Sequence, residues 1–238
     1  MIYLTGDTHG DFRRFGTKKW PEGKKLTKDD YVIILGDFGG IWNPIENDKE
    51  ENYWLDWLDD KPFLTLFVDG NHENFSRLNR LEEISMFNDK VGKVRDSIYH
   101  LKRANIYTID NKKFFVMGGA QSIDKHRRKE YISWWKEEIP SEAEFRNGVD
   151  ALKTNEIDYV LAHTAPSHII AEILYPEGMR VMRQDPYDGK FWDPVAHYFQ
   201  YLTLNLHIQF RHWFFGHMHD HITIQSKYTC LYKEIIKL

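Results

Sequence analysis

The chain is 238 residues long, 42% apolar and 15% aromatic, which supplies a sizeable core and excludes a disordered tail or a coiled-coil rod. A formal net charge of −4 gives no global basic field, so purely electrostatic capture of nucleic acid is excluded and nucleic acid stays open only as a substrate. One cysteine, Cys230, rules out an intramolecular disulfide and a thiolate-rich zinc site.

In chain order, the first expected element is Ile2–Thr5, a short apolar run ending in Gly6-Asp7-Thr8-His9-Gly10. With no basic start and no long apolar run, it reads as the first strand of a domain and not as a secretory signal. Tyr31–Leu35 precedes Gly36-Asp37-Phe38-Gly39-Gly40, and residues 63–68 precede Asp69-Gly70-Asn71-His72-Glu73-Asn74. Residues 114–117 run into Gly118-Gly119-Ala120, Tyr159–Ala162 into His163-Thr164-Ala165-Pro166, and residues 213–215 into Gly216-His217-Met218-His219-Asp220. Each run is short, rich in β-branched or aromatic residues and closed by turn formers, which is the pattern of a buried strand. Between them, Trp54, Leu55 and Leu58 share one face of a helix over 51–60. Val195, Phe199, Leu202 and Leu206 form a second helical stripe behind an Asp193-Pro194 start. Hairpins are expected over 106–117, turning on Asp110-Asn111-Lys112, and over 222–232. Alternating strands and helices give an α/β architecture with a mostly buried sheet. Residues 1–238 read as one domain with a surface flap at 175–191. No run approaches the ~20 apolar residues of a membrane span, so cytoplasmic residence without a membrane partner is expected.

The strand-end loops concentrate the chemistry. Asp7, His9, Asp37, Asn71, His72, His163, His217 and His219 all follow such runs, and ligands bind at the carboxyl ends of strands in open α/β sheets. Their oxygen and imidazole donors suit a divalent cation: manganese, iron, zinc or nickel. Neutral Asn71 can coordinate through its carbonyl without adding charge. Seven donors suggest two ions about 3.5–4 Å apart sharing a carboxylate, with a hydroxide between them as the nucleophile.

Taken in order, Gly-Asp-Thr-His-Gly, Gly-Asp-Phe-Gly-Gly, Gly-Asn-His-Glu, His163 and Gly-His-Met-His resemble the signature of calcineurin-like metallophosphoesterases, from Asp7 to His219. The resemblance implies a sandwich of two mixed β-sheets flanked by helices, in α/β/β/α layers. It also implies that Asp7, His9 and His219 hold a first metal, that Asp37 bridges, and that Asn71, His163 and His217 complete a second. His72 would stand unligated, as general acid or transition-state stabiliser. The implied reaction is hydrolysis of a phosphomonoester or phosphodiester by metal-bound hydroxide at a dinuclear centre. In the protein-phosphatase branch an Asp-Arg follows the second block and its arginine contacts phosphate; Gly39-Gly40 stand there instead. A small phosphoester or nucleotide is therefore favoured, with a protein serine/threonine phosphatase or a non-catalytic binding scaffold as alternatives. In the loop beyond Gly118-Gly119, Arg127, ahead of Arg128, is a candidate for pairing with phosphate, the alternative being a tight turn into a solvated helix with ordinary surface arginines. Asp69 and Glu73 either orient histidines or are plain loop residues. Trp54, Trp134 and Trp135 are expected in the core, and His100, His126, His168, His197, His207, His212 and His221 as structural or surface residues.

Overall fold

Strands β1 (Ile2–Thr5), β2 (Tyr31–Leu35) and β3 (Leu64–Val68) lie side by side in parallel, Ile2 opposite Tyr31 and Tyr31 opposite Leu64. The computed structural model describes residues 1–46, 48–174 and 193–238, so the flap expected at 175–191 lies outside the described residues. The first sheet continues through parallel β6 (Ile98–Leu101) to antiparallel β5 (Asp89–Arg95) and β4 (Glu82–Met86). On its other side, β13 (Ile236–Lys237) pairs antiparallel with β1. The order is β13-β1-β2-β3-β6-β5-β4.

The second sheet holds β7 (Asn105–Ile109), β8 (Lys112–Met117), β9 (Tyr159–Ala162), β10 (His212–Phe215), β11 (Ile222–Ile224) and β12 (Tyr228–Cys230). Its order is β11-β12-β10-β9-β8-β7, with β8, β9, β10 and β12 mutually parallel. The hairpin turn expected at Asp110-Asn111 is present, both residues having positive φ of 50° and 61°, the backbone twist that matches paired strands.

Successive side chains of each central strand point to opposite faces, and both faces are buried. Ile2, Leu4, Ile33 and Leu35 meet Phe114, Val116, Leu161 and Phe214 between the sheets. Tyr3, Val32, Ile34 and Phe67 face outward to a layer with Leu55 and Leu58 of helix α1 (Lys49–Asp59) and Phe75 and Leu78 of the one-turn α2 (Phe75–Leu78). On the far side, Phe115, Met117, Val160 and Trp213 are covered by α3 (Glu142–Thr154), α4 (Ser167–Leu174) and α5 (Pro194–Leu204). The layers are α/β/β/α. Trp135 is buried, Trp54 packs partly exposed against the same core, and Trp134 is half-buried.

Local sequence sets the helix starts. Asp48 accepts from the N–H groups of Glu50 and Glu51 at 3.1 and 2.9 Å, and Asp193 accepts from Val195 at 2.9 Å ahead of Pro194. Leu206, assigned to the second helical stripe, falls beyond the end of α5. Two features extend the expected list. Helix α3 opens with a capping box of Ser141 and Glu144. The β4–β5 hairpin turns through Phe87 and Asn88 at φ 59° and 70°. Strand β4 is a half-exposed sheet edge with Glu82, Glu83 and Ser85, so it lacks the apolar signature of a buried strand. Among the described residues no helix is long and apolar enough to cross a membrane.

Candidate metal centre

The carboxyl ends of β1, β2, β3, β9 and β10 open on one edge of the two sheets, and their loops converge there. One donor from each of Asp7, His9 and His219 lies within 4.8 Å of the others, and the same holds for Asp7, Asp37 and His163. His219 Nε2 stands 3.0 Å from Asp7 Oδ2 and 3.1 Å from His9 Nε2. Asp37 reaches both groups: Oδ2 is 3.7 Å from His9 Nε2, and Oδ1 is 3.4 Å from His163 Nε2. Asn71 Oδ1 sits 3.0 Å from His163 Nε2. The His217 ring lies 4.9 Å from the His163 ring, and its backbone N–H donates to Asp7 Oδ1 at 3.0 Å. His72 is beside the cluster and in neither donor group; its ring is 5.2 Å from that of His9.

Several devices hold this arrangement. A Cβ on Gly70 would come within 2.1 Å of Asp37 Oδ1, and one on Gly36 within 2.0 Å of His163 Nδ1, so these glycines let side chains of other loops pass. His9, Asp37, His217 and His219 all adopt positive φ, at 46°, 45°, 67° and 50°. Such strain in non-glycine residues persists where surrounding structure over-determines it, and it clusters at functional sites. Arg14 is one restraint: it donates to the carbonyls of Gly6, Asp7 and Tyr232 and to Thr5 Oγ1. Glu73, 1% exposed, accepts from Phe38 N at 2.8 Å and Gly70 N at 3.4 Å, tying the Asp37 loop to the Asn71 loop. Burial and nearby Asp37 push its carboxyl well above the ordinary range. Asp69 binds His100 at 3.0 Å and Arg103 at 2.8 Å beneath the same loop. Neither acid orients a histidine of the cluster: Glu73 braces backbone, and Asp69 pairs with two side chains beneath it.

The donors are aimed individually. His163 Nδ1 donates to the Leu35 carbonyl at 2.9 Å, which turns Nε2 to Asn71 and Asp37. Asn71 donates from Nδ2 to Ser122 Oγ at 3.0 Å, and Ser122 is fixed by Glu138, so the amide oxygen faces the cluster. The ring of Tyr232 stacks on His219 at 4.4 Å and 7°.

Charge in the cluster calls for a cation. Burial disfavours a charged His163, yet Asp37 outweighs it and pushes the imidazole up to about 10. Burial opposes charge on Asp37 as well, but His163 holds the carboxyl well below its ordinary value. His217 goes down to about 4, through burial and then His163. Asp7 Oδ2 is buried without a hydrogen-bond donor, because His219 approaches it outside hydrogen-bond alignment. Converging lone pairs and buried carboxylate oxygens fit a site where divalent cations would displace protons.

Arg128, and not Arg127, reaches this edge. Its guanidinium nitrogens are 3.0 Å from His72 Nδ1 and 3.1 Å from His72 Nε2, and it is held by Asp124 at 2.8 Å and the Ser133 carbonyl at 3.2 Å. Arg127, the arginine expected from the sequence, is exposed in the short 3-10 turn Lys125–Arg127, one residue before the chain turns inward. An Asp124…Arg128 pair at i, i+4 is the signal that distinguishes the two. Burial lowers His72, Asp37 draws it back up and Arg128 lowers it again, with a net value below that of an ordinary histidine.

Oxygen and nitrogen donors are gathered at parallel strand ends of a two-sheet sandwich, as a site for divalent metal requires. The family model of calcineurin-like phosphoesterases matches residues 1–221, and the chain belongs to that family. It is also 24% identical over 241 residues to lariat debranching enzyme A of Xenopus laevis. That match takes in 92% of this chain but 42% of the frog protein, so the chain spans less than half the length of that relative.

Proposed function

We propose that the chain hydrolyses a small phosphoester or a nucleotide ester at a centre of two divalent ions. Asp7, His9 and His219 would hold one ion, Asn71, His163 and His217 the other, and Asp37 both. The observation that carries this reading is Asp37, whose two oxygens address imidazoles of both donor groups at 3.7 and 3.4 Å. Bound ions supply Lewis-acid polarisation of the phosphoryl oxygens and acidify water.

The chain's own residues do the rest. His72, standing off the donors with its backbone N–H anchored on Asp37 Oδ1 at 2.7 Å, delivers a proton to the departing ester oxygen. Arg128 pairs with phosphate oxygens beside it; on substrate entry its guanidinium exchanges His72 for the anion. The Ser122–Glu138 pair keeps Asn71 from rotating its amide nitrogen into the cluster.

The test is a screen of protein supplemented with manganese, zinc, iron or nickel against monoesters, diesters, cyclic nucleotides, a phosphopeptide and a lariat, with metal counted by mass spectrometry. Two ions per chain and chelator-sensitive turnover of small esters are expected. One ion per fully active chain would remove the two-metal reading. A preference for the phosphopeptide would overturn the substrate class.

A further inference from the structure

We propose that Trp42 is a specificity-determining platform on which a planar aromatic leaving group stacks. The proposal rests on the phosphoester-hydrolase reading and narrows its substrate class. The Trp42 ring lies 6.0 Å from the His72 ring, tilted by 36°, within reach of a group bonded to an oxygen that His72 protonates. Arg128 contacts the same histidine. Gly39 and Gly40 carry no side chain and Ile41 is 3% exposed, so Trp42 is the first bulky, half-exposed group after Asp37-Phe38.

Its position is built, not incidental. The core site next to it is already filled by Trp135, 1% exposed, on which Trp42 rests edge-on at 5.5 Å. The N–H groups of Trp42 and Asn43 both donate to Glu51 Oε2, at 3.0 and 2.9 Å. Glu51 pairs with Arg77 at 2.6 Å, and Arg77 returns to the Asn43 carbonyl at 2.7 Å. A mostly buried ion pair thus fixes the backbone that carries the half-buried indole while Trp135 props the ring, and a restrained aromatic plane loses little entropy when a ligand covers it. Every base and aryl ring offers a π-face to such a plane. The ring stacked there is joined to the ester oxygen either directly, as in an aryl ester, or through a sugar, as in a nucleotide.

The experiment compares methyl, phenyl and adenosyl esters of phosphate, as monoesters and diesters, on metal-supplemented wild type, Trp42→Ala and Trp42→Phe. Intrinsic leaving-group ability cancels when kcat/KM ratios are compared between variants. Trp42→Ala is expected to cut the phenyl-to-methyl or adenosyl-to-methyl ratio about tenfold, mostly through KM, with Trp42→Phe keeping most of it. Loss on the phenyl ester marks direct attachment, and loss on the adenosyl ester alone marks an intervening sugar. Equal losses on all three esters would reduce Trp42 to a packing wall and overturn the proposal. Should no ester be turned over, the hydrolase reading fails, and calorimetry of adenosine 5′-monophosphate against ribose 5-phosphate decides the platform separately. A preference for the nucleotide that disappears in Trp42→Ala keeps it; no preference in wild type ends it.

Discussion

The His163 side chain is fully buried, whereas those of His9 and His219 are 35% and 48% exposed, although all three imidazoles address the same pair of carboxylates. The difference extends to their supports. On the buried side, His163 is locked by the Leu35 carbonyl and Asn71 by Ser122 and Glu138, a chain of hydrogen bonds with defined directions. On the open side, His219 has a flat ring behind it and His9 faces its neighbour. Directional bonds fix an angle; stacking fixes a plane and leaves rotation within it. We expect the Asn71–His163 position to bind its ion tightly and slowly, and the His9–His219 position to exchange.

The largest test strikes the residue proposed to serve both sides. Asp37→Asn should empty both positions together and return turnover to background, a loss of about a million-fold or more; a variant that keeps one ion would break the link between the halves. His72→Ala touches neither side. It should keep both ions while kcat falls about 100- to 10,000-fold, and parallel loss of metal would remove His72 from its role as proton donor. The contrast itself is sharpened by a pair of variants followed by metal titration. Ser122→Ala should weaken the buried position about 10- to 100-fold. Tyr232→Ala should weaken the open position by no more than about tenfold. If the two exchange places, the assignment of tight and loose sides is wrong.

The smallest effect concerns the floor beneath the buried half. Burial opposes ionisation of Asp69, but Arg103 and His100 hold it down to about 2. A carboxylate depressed in the folded state stabilises above the unfolded value of about 4, and that contribution fades as pH falls toward 2. Asp69→Asn should therefore lower the melting temperature at pH 7 by roughly 4–12 °C. The gap between variant and wild type should close as the pH is taken from 5 to 2. A gap independent of pH would mean that packing, not charge, is what Asp69 contributes.

The central strands and most candidate cluster residues were legible because the apolar runs before Asp7, Asp37, Asn71 and His217 end at or near a glycine with a donor directly after it, while His163 follows Ala162 without one. Glycine-flanked Asp37, Asn71 and His217 are local signals for a shared edge. What supports them is not local. Ser122 meets Asn71 across 51 residues, and Arg14 meets Tyr232 across 218, distances that only the finished sheets close. The placement of Arg128 rather than Arg127 turns on a single step of a 3-10 turn, finer than periodicity resolves. Strand β4 escaped the same pattern because an edge with Glu82, Glu83 and Ser85 has no buried face to advertise.

Pairing of β1 with β13, Tyr3 opposite Lys237 and Leu4 opposite Ile236, has a consequence for biosynthesis. His9 is made 210 residues ahead of His219, which completes its side of the cluster. In a chain made vectorially at about 5–20 residues per second, the open half lacks a side throughout that interval. A nascent chain can shape the Asp37–Asn71 loops well before it can secure His219, so the exchangeable ion should be acquired only once the segment through Tyr232 has joined the fold.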